Sequence, residues 1–448
     1  MALGPRSHAH EDANMATTDS GPYRLGLIGL GTVGTGVLEL MDRSRERLER
    51  RLGRPFEVRR VAVRDLKAPR QIPAGIGEAS ALLTNDAAAV YSDPEIDLVV
   101  EVAGGVEAPL KWISAALEGG KDVVTANKAV LALHGDEIFR HAIDSNRQVY
   151  YEASVAAAIP VIEVLQNGLV ANDIQRLAAI LNGTCNFILS QMEGEGKPYD
   201  VALKLAQERG FAEADPTLDV SGGDAAHKLA LLAGIITGSH VPVDNVYTEG
   251  IERITADDFE FAHHFGRTIK LVGILRCREQ ARWEMRVHPT LIPQEDILAK
   301  VHDEYNAVAL EGDAVGPMTL YGKGAGSHPT ASSIVADILR AARGEKEAGN
   351  PRGLDVPSIF PMDQVELRHY IRLQVLDHPG VLGKITSFLG TRGISIGSLE
   401  QPDAKAGAPV PVVIVTHQCE DRIVTEALQE LESGDLVDGP ITRIRIQD

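Results

Sequence analysis

Asp224 and Lys228 carry the strongest chemical suggestion in this 448-residue chain. Four apart, a carboxylate and an ammonium share one face of a helix. The loop before them is rich in acids, with Glu213, Asp215 and Asp219 preceding Asp224 and the turn Gly222-Gly223. Carboxylates gathered in this way suit a ligand bearing an ammonium group, as an amino acid does. A lysine with a depressed pKa can hand a proton to a carbonyl as it is reduced. The same pair can also be an ordinary ion pair on a solvated helix, and spacing alone does not choose between the two. A second lysine, Lys128, closes the string Thr125-Ala126-Asn127-Lys128 directly after an apolar run. Upstream of the acids, the apolar run 177–181 ends in Asn182-Gly183-Thr184-Cys185-Asn186. Gly183 and Thr184 there offer backbone N–H groups and a hydroxyl suited to a carboxylate. Cys185 raises a different chemistry, attack by a thiolate, which needs an assisting base. No histidine partner is marked near it, and small buried cysteines are common.

These groups need a scaffold, and the pattern points to a parallel α/β sheet. After Tyr23 an apolar run feeds into Gly29-Leu30-Gly31-Thr32-Val33-Gly34, then into a helical stretch with Val33, Val37, Leu40 and Met41 on one face and Gly53 as its stop. Gly29 permits the tight turn, Gly31 lets backbone approach a pyrophosphate, and Gly34 allows close packing of strand and helix. The helix start at Thr32 and Val33 presents N–H groups to phosphates. A second strand, 58–63, ends at Arg64, where an acid would hold a ribose 2′-hydroxyl. Arg64, with Lys67 behind it, favours a 2′-phosphate and hence NADP. Asp65 keeps NAD open, and a merely exposed Arg64 is the plain alternative. Strand and helix patterns alternate through 96–102, 110–117 and 123–124, the rhythm of βαβ units. Gly104, in Ala103-Gly104-Gly105, and Thr125 and Lys128 then fall at carboxyl ends of strands, where such sheets bind ligands. Beyond the sheet, the small-residue stretch Ala153-Ser154-Val155-Ala156-Ala157-Ala158-Ile159-Pro160 would let backbone carbonyls crowd around something, or simply pack tightly.

Composition limits the partners. Hydrophobic residues make up 44% and charged residues 24%, an ordinary globular mix for about three domains. No apolar run is long enough to cross a membrane, and residues 1–21 lack the apolar core of a secretory signal. Three scattered cysteines, Cys185, Cys277 and Cys419, make neither a disulfide framework nor a Cys-x-x-Cys zinc pattern, which points to a reducing cytoplasm. A formal net charge of −19 repels nucleic acid and anionic membrane, so neither is expected as a partner.

Taken together the motifs resemble homoserine dehydrogenase over nearly the whole chain. The matching segments are Gly29 to Gly34, Thr125-Ala126-Asn127-Lys128, Tyr151-Glu152-Ala153-Ser154-Val155, Leu181-Asn182-Gly183-Thr184, Glu213-Ala214-Asp215-Pro216, Asp224-Ala225-Ala226-His227-Lys228 and Gly322-Lys323-Gly324-Ala325-Gly326. Each is modest alone; their combination and order are specific. The resemblance implies reduction of L-aspartate 4-semialdehyde to L-homoserine by hydride transfer from NADPH or NADH. It makes Lys228 the acid–base residue and Lys128 a partner that orients substrate or shares the role. Glu213 and Asp224, with Asp219 beside them, would hold the amino acid's polar groups, and Gly183 and Thr184 would line its site. Gly324 and Gly326 would let backbone approach the nicotinamide side of the cofactor. A structural sodium ion is implied too, held by Glu152 and the carbonyls of Val155, Ala157 and Ile159. Phe211 departs from the pattern, since some members carry Tyr there, which puts a substrate contact from that side in doubt. Competing expectations are an acylating aldehyde dehydrogenase using Cys185 and a non-catalytic amino-acid sensor, which would need no proton donor. A bifunctional chain with an aspartate kinase half is not expected, because no kinase-like segment precedes Tyr23.

The expected organisation is a disordered tail at 1–22, a Rossmann-type nucleotide-binding domain at 23–150 to which 326–345 returns, an α+β substrate and dimerisation domain at 151–325, a linker at 346–368 and a regulatory domain at 369–448. The last unit reads βαββαβ: strands at 370–376, 394–399, 410–416 and 441–446, helices at 381–389 and 423–431. With its turn Asp377-His378-Pro379-Gly380 followed by Val381-Leu382, it resembles an ACT domain, a ferredoxin-like amino-acid-binding module. The resemblance implies that Asp377 meets an effector's ammonium while Gly380, Val381 and Leu382 grip its carboxylate, with L-threonine the natural effector; a dimerisation module without ligand is the alternative. A homodimer or homotetramer is expected.

Overall fold

The computed structural model describes residues 21–346, 356–402 and 409–447. Residues 1–20 of the expected tail and 347–355 of the expected linker lie outside these.

The first unit is a six-stranded, all-parallel sheet. In spatial order its strands are Leu83–Thr84, Phe56–Ala62, Tyr23–Ile28, Leu98–Glu101, Asp122–Thr125 and Val149–Tyr150. The central strands are buried on both faces, which is why they read as short apolar runs. The first helix is Thr32–Arg43, and a second, Arg45–Leu52, follows after a break at Ser44 and ends at left-handed Gly53 (φ 79°). The single helix expected from the pattern is thus two, and Gly53 is its stop. The helix Ser327–Ala342 packs beside Thr32–Arg43: Ser327 donates to the Thr32 carbonyl at 2.7 Å, and Ile334, Val335 and Ile338 join the core under the sheet.

The second sheet is mixed and runs through two units. Its order is Gly316–Lys323, Tyr305–Gly312, Ile174–Ile180, Arg267–Cys277, Trp283–Pro293, then Thr442–Ile446, Glu366–Leu376, Pro409–Thr416 and Ile396–Glu400. The first five strands are antiparallel and carry the substrate unit. The last four, with helices Val381–Thr391 and Asp421–Glu432, make the βαββαβ unit around its own apolar core of Ile371, Leu373, Ile385, Val424 and Leu428. The two halves join where Thr442–Ile446 lies parallel to Trp283–Pro293, with Thr290 opposite Arg445 and Leu291 opposite Ile446. Among the described residues no helix is long and apolar enough to cross a membrane.

Candidate active site

The glycine-rich turn behaves as its spacing demands. Gly29 sits at φ 105°, and a Cβ there would stand 2.7 Å from the Ala103 backbone. A Cβ on Gly34 would stand 2.4 Å from the Gly29 carbonyl, whereas one on Gly31 would meet nothing within 4 Å. Two glycines are therefore needed by the protein itself and the third faces open space, as a turn built to receive a pyrophosphate requires. The helix that begins at Thr32 has no side-chain cap, so its first N–H groups, those of Thr32, Val33 and Gly34, remain for an anion. Gly104 and Gly105, at φ 75° and 84°, are likewise open. Arg64 and Lys67 are both exposed beyond the second strand. Asp65 is folded into its own turn, accepting from the Lys67 N–H at 2.8 Å.

Buried polar bonds brace the neighbouring strand ends. Glu101, fully buried, accepts from the Ala103 N–H and the Thr125 hydroxyl, both at 2.8 Å. Burial pushes its carboxyl up, and these donors pull it partly back. Thr125 in turn accepts from the Asn127 N–H at 3.1 Å, and Asn127 Nδ2 reaches the Gly105 carbonyl at 2.8 Å. Thr125's side chain is thus spent inside the fold, and only its backbone is left for a cofactor. Asn127 also caps the helix Lys128–Asp144 through the Val130 N–H, which sets Lys128 at that helix's first position.

From there Lys128 reaches across to the second unit. Its ammonium lies 2.9 Å from Asp224 Oδ1, while Lys228 lies 2.7 Å from Asp224 Oδ2. Lys228 also donates to the Leu181 carbonyl at 2.7 Å. Asp224 and Lys228 open the helix Gly223–Thr237, whose N-cap Gly222 is left-handed at φ 84°. Both side chains are buried, so the pair is not the solvated-helix pair that the spacing left open. Burial pushes Asp224 up, but the two ammoniums outweigh it and hold the carboxylate well below its ordinary range. The lysines diverge. The Asp224 charge raises Lys128, which keeps some exposure, whereas burial lowers Lys228 and Asp224 only partly offsets this. A single carboxylate therefore serves one lysine that holds its proton and one that releases it more readily.

Asn182, for which spacing offered no role, organises the carboxylates. Its Nδ2 donates to Asp219 at 2.7 Å and to Asp224 at 2.8 Å, while Oδ1 accepts from the Cys185 N–H at 2.7 Å. The residue is the N-cap of helix Gly183–Glu195, a position that a polar residue before Gly183-Thr184 could have signalled. That helix starts close against Glu304, since a Cβ on Gly183 would stand 2.8 Å from its carbonyl. The first-turn N–H groups of Gly183 and Thr184 have no intrahelical acceptor. Thr184's hydroxyl already donates to the Phe211 carbonyl at 2.6 Å, so a carboxylate would be met by backbone. Phe211 itself packs against Phe187 with the rings tilted, centroids 4.9 Å apart. Glu213 is exposed at the rim, near enough to help raise Lys128. Cys185 is fully buried and donates to the Asp219 carbonyl at 3.1 Å; burial, then Asp219 and Asp224, push its thiol well up. A thiol buried and raised in this way is a poor nucleophile, which argues against the acylating reading.

The other expected residues fall in three further places. A Cβ on Gly324 would stand 2.0 Å from the buried Asn306 amide, and Gly326 (φ 114°) precedes the helix Ser327–Ala342. Glu152 is buried; its oxygens accept from the Ile162 and Glu163 N–H groups at 2.9 and 2.7 Å, and burial pushes its pKa up to about 7. The Ala157 carbonyl accepts from Ser333 at 2.6 Å and that of Ile159 from the Val161 N–H at 2.7 Å. In the βαββαβ unit, Gly380 (φ 92°) is an exposed N-cap without a side-chain cap bond, Val381 and Leu382 open the helix, and Asp377 accepts weakly from Gln401 at 3.4 Å.

A parallel sheet with a pyrophosphate-shaped turn, facing a buried carboxylate that joins a buried lysine to a partly exposed one, defines a nicotinamide-dependent oxidoreductase. Comparison with known proteins narrows the class. Residues 29–152 match the homoserine dehydrogenase NAD-binding domain, 160–339 the homoserine dehydrogenase domain proper and 369–433 the ACT domain. A homoserine dehydrogenase from Pseudomonas aeruginosa is 43% identical over 95% of this chain and 99% of its own. The crystal structure of one from Thiobacillus denitrificans superposes with a TM-score of 0.88 at 43% identity, covering 96% of this chain and 99% of that one. A hyperthermophilic archaeal homoserine dehydrogenase solved in complex with NADPH covers 73% of this chain and 100% of its own, at 26% identity and a TM-score of 0.62. The chain belongs to the homoserine dehydrogenase family and carries a C-terminal ACT domain.

Proposed function

We propose that the chain reduces L-aspartate 4-semialdehyde reversibly to L-homoserine, with Lys228 as the proton-transfer residue. The observation that carries this reading is the single carboxylate Asp224 between two lysines whose pKa values move in opposite directions. The nicotinamide, when bound, supplies or accepts the hydride. Lys228, lowered by burial, gives a proton to the carbonyl oxygen in reduction and takes it back in oxidation. Lys128, held charged, orients the substrate's oxygen. Asp219, Asp224 and Glu213 face the amino acid's ammonium, and the N–H groups of Gly183 and Thr184 its carboxylate. Exposed Arg64 and Lys67, and an Asp65 turned into its own loop, support NADP over NAD, as does the archaeal relative's NADPH.

A structural sodium ion at the turn 152–159 is part of the same proposal. Among the described residues no cluster of three His, Cys, Asp or Glu side chains is placed to hold a metal, so backbone oxygens would do most of the work. Ala156 and Ala157 sit at φ 53° and 42°, a conformation that costs about 1–3 kcal/mol each and persists only where the surroundings impose it. The carbonyls of Val155, Ala157 and Ile159, with Glu152, supply the hard oxygen donors an alkali cation takes. L-threonine is the proposed effector, held at Asp377, Gly380, Val381 and Leu382, and the working form is a cytoplasmic homodimer or homotetramer; these rest on the family resemblance and the exposed helix start.

Steady-state homoserine oxidation with NAD+ and NADP+ tests the core of this. Lys228→Ala should lose turnover by about 10²-fold or more with cofactor binding retained, and Lys128→Ala should chiefly raise the homoserine KM. Parent-like turnover of Lys228→Ala would refute the assignment.

A further inference from the structure

Among the contacts between the ACT domain and the catalytic unit, those made by Glu249 lead directly to the catalytic helix. Glu249 follows the short strand Tyr247–Thr248, which pairs with Arg286 and Val287 of Trp283–Pro293. Its carboxylate is taken by two arginines of the ACT strand Thr442–Ile446. Arg445 Nη1 donates to Oε2 at 2.6 Å and Arg443 Nη2 to Oε1 at 2.8 Å. Arg445 is completely buried, bonded also to Asp421 at 2.7 Å and lying over the Tyr247 ring at 4.8 Å. Arg443 is fixed by the Thr425 hydroxyl at 2.7 Å. Charge-assisted bonds of this kind, here at a partly buried carboxylate, are stronger than bonds between neutral groups.

The backbone on either side of Glu249 then presses on the turn that opens the catalytic helix. The Glu249 N–H is tied to the Val287 carbonyl at 2.8 Å and the Ile251 N–H to the Val220 carbonyl at 2.9 Å. Contact is so close that side chains are excluded: a Cβ on Gly250 would stand 2.3 Å from the Val220 carbonyl and 2.7 Å from Ser221 Cα. A Cβ on Gly222 would stand 3.1 Å from the Glu249 carbonyl. Gly222 is the left-handed N-cap of the helix bearing Asp224 and Lys228, and Asp219 lies one residue before Val220. Two glycines, facing each other across this seam, leave no slack between the segment the arginines hold and the turn that places the catalytic carboxylate.

We propose that Glu249 is a positioning residue. Gripped by Arg443 and Arg445 of the regulatory domain, it seats the Thr248–Ile251 segment against Val220–Gly222 and so sets where Asp224 and Lys228 stand. This rests on the reading of Lys228 as the proton-transfer residue. It assigns the ACT domain a part in turnover itself, because both arginines that hold Glu249 belong to that domain.

The test uses the full chain in homoserine oxidation. Glu249→Gln keeps shape but drops the charge, and Arg443→Met removes one partner. Each should lower kcat by about tenfold to a hundredfold, the range expected of small misplacements in an active site, while the KM for dinucleotide stays within about twofold. The double variant should fall no further than the worse single one, since both break one contact. A folded Glu249→Gln enzyme with parent kcat overturns the proposal, and so does a double variant whose loss is the product of the two. Should Glu249→Gln fail to fold, Arg443→Met and Arg443→Lys decide: loss in the first with partial recovery in the second supports the proposal, and parent kcat in both overturns it. Lys228→Ala is measured alongside. If it is inactive while Glu249→Gln is unaffected, only the coupling fails; if it is fully active, the proton-transfer reading fails and takes the coupling with it.

Discussion

Replacing Asp224 by Asn removes the one negative charge between two ammoniums without changing the side chain's size. The Lys228 contact is 2.7 Å and both side chains are nearly out of solvent. At about 3 Å and an effective dielectric constant of about 20, the attraction lost is on the order of 5 kcal/mol. Lys128 is a third exposed, so its share is screened and is not added. A buried pair broken on one side costs about 3–5 kcal/mol at neutral pH. The cost has a pH signature. Lys228 already lies below its ordinary 10.5 in the folded chain, and the variant lowers it further. A lysine lowered on folding penalises the folded state while it is charged, and the penalty fades as pH rises toward the unfolded value. Urea unfolding should therefore show the stability gap between parent and variant shrinking from pH 7 to pH 10. It should also shrink in acid, where the parent's Asp224 loses the advantage it holds above its ordinary 3.8. The rising limb of homoserine oxidation should move to lower pH, with kcat down by about 10²-fold from misplaced lysines. An equal stability gap at pH 7 and 10, with an unmoved limb, would refute the electrostatic account of the site.

Other outcomes follow from the same geometry. Gly31→Ala should fold with unchanged melting temperature yet raise the dinucleotide KM about tenfold, because its Cβ enters only the open space before the turn; Gly34→Ala, 2.4 Å from a carbonyl, should lose stability by about 1–3 kcal/mol as well. Cys185→Ala should keep kcat within about twofold, as expected where no covalent step occurs, and an inactive but folded variant would revive the thiol chemistry. Sodium chloride should raise the melting temperature above that in choline chloride at equal ionic strength, because a cation bound only by the folded chain stabilises it. Equal melting temperatures would remove sodium from the turn 152–159.

Local rules made the nucleotide half legible. Gly29 and Gly34 answer to close contacts within a few residues or with the loop beyond one neighbouring strand, and Gly31 to the open space before the turn, and the motif encodes all three. Lys128, Asp224 and Lys228 could each be singled out by type and spacing, but their meeting depends on a helix start set by Asn127 reaching a helix set by Gly222, a long-range fact. Asn182 hid because its cap role and its grip on two distant carboxylates are one side chain doing two jobs. The strands Arg267–Cys277 and Trp283–Pro293 leave little alternation to read, being buried along most of their length with polar residues such as Lys270, Arg286 and His288 inside. Residues 370–446 were legible as βαββαβ because each element there has its own apolar face. Which outer strand that unit would use, and on what, was not, since pairing between remote strands leaves no local mark.

That pairing bears on how the ACT domain could ever be separated from the rest of the chain. Thr442–Ile446 occupies the outer rim of Trp283–Pro293, so a chain cut after Pro361 would bare unpaired amides and carbonyls there and invite clumping with other copies. It would also strand the Glu249 carboxylate without its arginines. An amputated enzyme that proved sluggish or sticky would be reporting a torn seam, and insensitivity to an effector in such a preparation would say little about where the effector sits. Point changes at Asp377 or in the turn 377–382 leave the seam whole.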